Sequence, residues 1–149
     1  MYSPRGVVWI AVSGLLSVVA RIATAWGGPL GRIPYVVSLA CLVAWTLLNR
    51  NTPGMPLATL GLSLNTLVIA VNGGAMPVLA GSDLVSSRPI QSLTHVSIGE
   101  SRALWFLGDV LRLNTPFRHS FLISPGDVLL SLGVFLCVQY LVAPSRDSR

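Results

Sequence analysis

The sequence predicts an all-α membrane protein, a bundle of about four transmembrane helices with a long structured loop between helices three and four. Hydrophobic residues make up 52% of the 149 residues and charged residues only 10%, whereas an ordinary soluble domain carries about 25% charged residues. Because a soluble chain of this size needs more charge to cover its surface, lipid is the predicted solvent for much of it. The length fits a single integral membrane domain over residues 1–149.

Four apolar segments are the predicted membrane helices. A bilayer core of about 30 Å needs about 20 helical residues at about 1.5 Å each, with about 17 as the usual lower limit. The first segment meets that length, whereas the others need flanking residues, a thin bilayer or partial burial in protein. Glycine- and proline-rich links after the first two segments predict antiparallel neighbours. The predicted helices are residues 7–26, 35–48, 55–71 and 127–142, and the predicted loop is residues 72–125.

Two arginines need an interpretation, one just before the first segment and one inside it. Arg5 precedes the apolar centre, as in a secretory signal peptide, but the membrane-like segments that follow favour a retained helix. Arg21 lies five residues before Trp26, so its side chain can snorkel to the headgroups. The small and polar residues on the same helix side also suit packing on other helices, which would make Arg21 an inward-facing partner for an acid.

The third segment carries the amides Asn65 and Asn72, seven residues apart and therefore nearly on one helix face. An intramembrane amide is costly unless it is paired, so Asn65 is predicted either to hydrogen-bond another helix or to line a binding site. Beyond Asn72, Gly73 fits the left-handed conformation that closes a helix, and Gly74 allows another backbone or a ligand to come close. Pro77 prevents the helix from resuming.

The loop over residues 72–125 is predicted to be structured, because it is too hydrophobic to be disordered. Residues 103–113 are apolar but too short to span a bilayer. This stretch is predicted to be an interfacial or re-entrant piece with Trp105 at the headgroups, or else a lid over the bundle. The loop also holds both histidines and three of the five acids, which are His95, His119, Asp83, Glu100 and Asp109.

The fourth segment opens with the sequence Ser-Pro-Gly-Asp. Ser124 is a good N-cap, the proline fits the first helical position, and Asp127 can complete a capping box. The acid also favours the positive end of the helix dipole. Gly126, Gly133 and Cys137 line one face of this helix, a stripe that suits close approach of another helix.

The charges and cysteines exclude several functions. The net charge of +5 comes from ten arginines set against five acids, and the arginines are scattered singly between apolar runs. No basic stripe for nucleic acid forms, so the predicted partner is the lipid bilayer, with arginines at the headgroups. Neither the cysteines nor the pairs His95 with His119 and Asp109 with Asp127 have metal-ligand spacing, so no metal or cofactor is predicted.

The motifs, taken in order, resemble a known bacterial family. Asn-Gly-Gly-x-Met-Pro follows a membrane helix, then come a histidine, Leu-Gly-Asp, and Ser-x-Gly-Asp at the start of the last helix. The pattern resembles the integral-membrane family catalogued as domain of unknown function 5317 over roughly residues 65–140. The matching residues are Asn65, Asn72, Gly73, Gly74, Met76, Pro77, His95, Leu107, Gly108, Asp109, Ser124, Gly126 and Asp127. The resemblance implies a multi-pass bacterial membrane protein and no assigned activity.

Two functions fit these observations, and a soluble helical protein is the third, least consistent hypothesis. The first is a non-enzymatic accessory or small-ligand-binding component of the bacterial cell membrane, in which the motifs converge as a rigid cap. A membrane-protein partner or a second copy of the chain stays open. The second is a membrane enzyme or transporter with a polar site built from Asp109, Asp127, His95 and Arg21, because polar groups at membrane depth are costly. The positive-inside rule favours cytoplasmic termini, and no catalytic residue can be assigned.

Overall fold

The computed structural model of the protein describes residues 14–19, 32–79, 95–97, 103–114 and 120–143. Within them the chain is mostly helical, with α1 over residues 14–19 and three longer helices. These are α2 (Arg32–Leu48), α3 (Met55–Val71) and α4 (Pro125–Val142). The described part of the loop forms a 3-10 helix (Trp105–Leu107) and the strands β1 (Met76–Val78), β2 (His95–Ser97), β3 (Leu111–Asn114) and β4 (Ser120–Ile123).

Prolines decide where two of the helices begin. α2 begins at Arg32 rather than at residue 35, because Pro34 is tolerated in a first turn whose N–H groups have no intrahelical partner. α4 likewise begins at Pro125 rather than at residue 127, directly after its N-cap. Of the predicted first helix, only residues 14–19 are described, and they are helical. Arg5 and Arg21 lie outside the described residues.

α3 and α4 run antiparallel with their backbones in contact, because glycines line the contact on both helices. A Cβ on Gly61 of α3 would meet the Gly126 oxygen and the Leu130 nitrogen of α4. A Cβ on Gly133 of α4 would meet the backbone of Ala58 in α3, farther along the same contact. Any larger residue at these glycines would push the helices apart, so the small residues set the interhelical distance.

A small apolar core lies where α3 leads into the loop. Val68 and Ile69 of α3 are buried together with Met76 of β1. The partly buried side chains around them come from α2 and from the segment that includes the 3-10 helix, and they are Tyr35, Val36, Leu39, Leu104 and Leu107. α2, α3 and the loop are therefore joined at one end of the bundle.

The outer surface of α4 is apolar and exposed. Among the described residues, α4 is the one helix whose length and composition would allow it to cross a membrane, and only 17% of it is buried within the protein. α2 and α3 are apolar but shorter, at 17 residues each. The large exposed side chains of α4 are Val128, Leu132, Val134, Phe135, Leu136, Val138, Tyr140, Leu141 and Val142. The buried residues of α4 are Gly126, Gly133 and Cys137, the predicted small-residue stripe.

The loop contains β-structure, which the prediction of an all-α fold omitted. β1 and β2 pair in parallel, with Met76 opposite His95, and Asp109 forms an isolated bridge with Val78. β3 and β4 form an antiparallel hairpin. These strands are three or four residues long, which is too short for the alternation of polar and apolar residues that identifies a strand in a sequence.

Two glycines end α3 in a Schellman turn. The N–H of Gly73 donates to the Ala70 oxygen at 3.2 Å, and the N–H of Gly74 donates to the Ile69 oxygen at 2.8 Å. Both glycines have positive φ, +70° and +87°, and the turn requires this conformation at Gly73, the first residue after the C-cap. The second glycine also lies against α2, because a Cβ there would be 2.6 Å from the Arg32 Cβ. The turn sends the chain directly into β1.

The two glycines should therefore respond differently to alanine. Gly73→Ala places its methyl group in open space, so it should cost about 1–2 kcal/mol of left-handed backbone strain. Gly74→Ala adds a clash with the rigid stem of Arg32 and should cost about 1–3 kcal/mol more. Thermal unfolding of the two variants in the same detergent measures the difference. Equal unfolding temperatures would contradict the close approach of Gly74 to α2.

Candidate functional site

The residues that the sequence singled out form two clusters in the described structure. The interhelical cluster joins α3 to the start of α4 and contains Asn65, Ser124, Gly126 and Asp127. The loop cluster surrounds β1 and contains Asn72, Gly73, Gly74, Met76, Pro77, His95 and Asp109. The sequence predicted one cap in which Asn72 to Gly74, Asp109 and Ser124 to Asp127 converge. Ser124 and Asp127 instead bond to Asn65, which lies about 10 Å from Asn72 along the axis of α3.

A closed set of hydrogen bonds holds the interhelical cluster together. The Asn65 amide donates through Nδ2 to Oδ1 of Asp127 at 2.7 Å, and its Oδ1 accepts from the Ser124 hydroxyl at 2.8 Å. Ser124 and Asp127 also form a capping box, with the Asp127 N–H on Ser124 Oγ at 2.9 Å and the Ser124 N–H on Asp127 Oδ2 at 3.0 Å. Ser124 and Asn65 are buried. The polar side chains of the cluster are therefore hydrogen-bonded to one another.

Gly126 is the position that lets Asn65 reach α4. A Cβ on Gly126 would overlap Oδ1 and Cγ of the Asn65 side chain. Because glycine leaves that volume empty, the amide can lie against the first turn of α4, where the orphan N–H groups and the capping acid are. Of the two predicted roles of Asn65, the geometry corresponds to an interhelical hydrogen bond.

Asn72 connects the end of α3 to the far part of the loop. Its Nδ2 donates to the Val68 oxygen within α3 and to the Ala103 oxygen, both at 2.8 Å. The Ala103 contact fixes the chain just ahead of the 3-10 helix. Leu104, which follows, has φ of +55°, a conformation that leucine rarely adopts. Asn72 thus anchors a strained turn to a rigid helix end.

β1 brings Asp109 into the loop cluster. Met76, Pro77 and Val78 are all buried. The Asp109 N–H donates to the Pro77 oxygen at 2.9 Å, and the Leu79 N–H donates to the Asp109 oxygen at 3.2 Å. The next hydrogen bond of this pairing would run from the N–H of residue 77 to the oxygen of residue 107. Pro77 has no N–H, so the pairing does not continue in that direction.

His95 and Asp109 form the most accessible polar pair of the loop cluster. His95 Nε2 lies 3.5 Å from Asp109 Oδ2, with side chains 34% and 12% exposed. The separation is at the long limit of a hydrogen bond, and the partly exposed His95 is the member of the pair that a molecule in the solvent can reach. Within the described residues, no three side chains of the His, Cys, Asp or Glu type converge as metal ligands. Asp127 bonds within the interhelical cluster, and Arg21 lies outside the described residues.

Sequence reasoning missed the main-chain partner of Asn72 in the loop cluster and the close approach of Gly54 to α4. The Ala103 oxygen that Asn72 binds and the left-handed Leu104 carry no sequence signal, because any residue supplies a carbonyl and leucine does not favour positive φ. Gly54 is left-handed, with φ of +88°, and a Cβ there would meet the α4 backbone near Cys137. The glycine- and proline-rich link before α3 indicated a turn at Gly54, but it did not indicate this contact with α4.

Two comparisons with known proteins found similar sequences. A family model described as a family of unknown function (DUF5317) matches residues 6–139. An uncharacterized protein of the bacterium Thermotoga maritima is 31% identical over 114 residues, covering 74% of this chain and 67% of that protein. No solved structure matches the chain.

The family match reaches upstream of Asn65, where the resemblance of the motifs began, and includes the sequence of α1 to α3. The motifs of both clusters lie inside it. The chain therefore belongs to the bacterial family of unknown function DUF5317.

Proposed function

We propose that the protein is a multi-pass component of the bacterial cell membrane, with a non-enzymatic accessory or small-ligand-binding role. The observation that carries the proposal is the exposed apolar surface of α4. A helix that is apolar all round is found either in the core of a large protein or in a membrane. Because only 17% of α4 is buried, the first explanation does not fit.

The dimensions of the helices support several passes. The 18 residues of α4 extend about 27 Å, and the 17 residues each of α2 and α3 extend about 26 Å. A bilayer core of about 30 Å accommodates such helices by local thinning or through flanking residues. The exposed apolar side chains of α2 and α3 would then also face lipid, and they are Ile33, Val37, Leu47, Leu48, Leu60, Leu67 and Val71. With α1 as a fourth pass, both termini lie on one side, which we propose to be the cytoplasm.

The closed hydrogen bonds of the interhelical cluster favour a structural role over a catalytic one. Catalysis and transport need polar groups that can reach another molecule, whereas Asn65, Ser124 and Asp127 bond one another. In lipid, such bonds and close helix packing hold helices together, because apolar burial between helices gains little there. We propose that the cluster gives the bundle a fixed arrangement on which a membrane-protein partner, a second copy or a small ligand docks.

Membrane extraction tests the proposed location. The full-length chain should stay in the membrane pellet through alkaline carbonate and enter solution only with detergent, because its exposed apolar helices have no other solvent. A peripheral membrane protein from the same cells provides the control and should be released by carbonate. Quantitative release of the chain without detergent would contradict the proposal.

Two serine-to-alanine variants test the structural role of the interhelical cluster, one at the N-cap of α4 and one on its exposed surface. Ser124→Ala removes the hydroxyl that caps α4 by accepting from the Asp127 N–H and that donates to the Asn65 oxygen. The free energy of unfolding should therefore fall by about 1–3 kcal/mol. Ser131 lies exposed on the same helix, and Ser131→Ala should change stability by less than about 0.5 kcal/mol. Thermal unfolding in detergent measures both. A Ser124→Ala variant as stable as Ser131→Ala would contradict the structural role.

The contact between His95 and Asp109 supports a second candidate function, a membrane enzyme or transporter. This site contains fewer residues than the one predicted from sequence, because Asp127 bonds to Asn65 and Ser124 in the interhelical cluster. A partly exposed histidine beside a carboxylate is a common arrangement for acid–base chemistry. The pair would therefore serve proton transfer or the binding of a small polar molecule at the loop.

Asp109→Asn separates the two candidates, because it keeps the shape of the side chain and removes its charge. Under the accessory role, the variant should complement a deletion strain as well as the wild type. Under the second candidate it should fail to complement, while its amount in the membrane stays unchanged. Asp127→Asn is the comparison, and under the structural role it should lower the amount of folded protein. If Asp127→Asn is fully stable yet fails to complement, the accessory role is wrong.

A further inference from the structure

We propose that the β3–β4 hairpin inserts one face into the headgroup–acyl boundary of an anionic bilayer, on the side of the membrane where α4 begins. The inference rests on the proposed function, since it takes α4 as a membrane helix. It adds a second contact with lipid that does not span the bilayer, in which anionic phospholipid covers one face of the hairpin. Four observations carry it: the two faces of the hairpin, its exposure, its position and its charge.

The register divides the hairpin into an apolar face and an opposite face. Leu111 pairs with Ile123, and Leu113 pairs with Phe121. Paired residues point to the same side of a two-stranded ribbon, and side chains alternate along each strand. These four residues therefore form the apolar hairpin face, while Arg112, which pairs with Leu122, points to the other side.

Three of the four residues of the apolar hairpin face are exposed, and Ile123 is half-buried. Leu111, Leu113 and Phe121 are 42%, 51% and 52% exposed. An isolated two-stranded hairpin is marginally stable at best in water, so this one needs a surface to lie on. The 3-10 helix ahead of it adds exposed Trp105 and Phe106, which meet edge to face. Large apolar and aromatic side chains at one end of a bundle are typical of a membrane–water interface.

The position of the hairpin follows from its junction with α4. β4 ends at Ile123, Ser124 is the N-cap, and α4 begins at Pro125. A spanning α4 of about 27 Å places its first turn at the edge of the hydrocarbon core. The hairpin starts one residue from that turn, so its base lies at the depth of the headgroups and the first acyl carbons, and we infer that its apolar face keeps the rest of it there. Backbone groups there can still reach water, which makes a hairpin tolerable at this depth and not deeper.

The charge of the segment favours anionic lipid. Between Asp109 and Asp127 the sequence has two arginines, Arg112 and Arg118, and no acid. Arg112 is exposed on the face opposite the apolar one. An arginine near an anionic surface adds to membrane attraction. With the apolar face toward the acyl chains, Arg112 would be at the level of the phosphates.

Fluorescent probes on opposite faces of the hairpin test the inference. In full-length protein with Cys41→Ala and Cys137→Ala, single cysteines replace Leu113, Arg112 or, in α4, Val134. Each is labelled with an environment-sensitive dye and reconstituted in vesicles of phosphatidylcholine and phosphatidylglycerol. The two readouts are quenching by nitroxides on the lipid acyl chains and bleaching by dithionite in the water. Both hairpin positions are exposed, so labelling leaves the core intact.

The probe at Leu113 should be quenched by shallow acyl-chain nitroxides and bleached several-fold more slowly than the probe at Arg112. Replacing phosphatidylglycerol with phosphatidylcholine should weaken the quenching at Leu113, and unchanged quenching would overturn the role of anionic lipid. Equal bleaching at Leu113 and Arg112, with Val134 quenched deep in lipid, would overturn the inference and leave the membrane proposal intact. Protection of Leu113 without lipid quenching would mean that protein covers the face, and would also overturn it. Bleaching at Val134 would overturn the membrane proposal itself.

Discussion

The contact between α3 and α4 is the constraint on which the rest of the structure depends. Their backbones touch along glycines, and the Asn65 side chain crosses to the first turn of α4 through the space that Gly126 leaves. Packing and polar contacts reinforce each other here, because the hydrogen bonds form only at the short distance that the glycines permit. In the proposed membrane, where lipid competes equally for apolar side chains, this combination is what can select one helix pairing.

The loop depends on the same helix at its other end. The Schellman turn after Asn72 aims the chain into β1, and the Asn72 side chain holds the Ala103 carbonyl. β1 then provides an edge for β2 and for the backbone of Asp109. Strands of three residues do not form alone, so the loop has structure because a rigid helix end and a buried core position its first strand. α3 therefore organises the bundle through Asn65 and the loop through Asn72.

The sequence predicted those parts of the fold whose cause is local. The capping box at Ser124 and Asp127, the small-residue stripe of α4 and the glycine turn after α3 depend on residues within a few positions of one another. Asn65 was different: its cost in an apolar helix indicated a partner, but the partner lies on a helix distant in sequence, so two roles stayed open. The short strands and the Ala103 carbonyl had no periodic or compositional signal at all. The division of the candidate residues into two clusters followed from those non-local contacts.

The two clusters differ in what they leave for another molecule. In the interhelical cluster, Asn65, Ser124 and Asp127 form hydrogen bonds with one another. Removing one of these side chains therefore leaves a polar group of another without its partner. His95 Nε2 and Asp109 Oδ2 lie 3.5 Å apart, with side chains 34% and 12% exposed. A molecule in the solvent would therefore reach the His95 side chain more easily than the buried Asn65 and Ser124 between the helices. The arrangement separates the groups that fix the bundle from the more exposed His95, and Asp109 lies in sequence between the 3-10 helix and the β3–β4 hairpin.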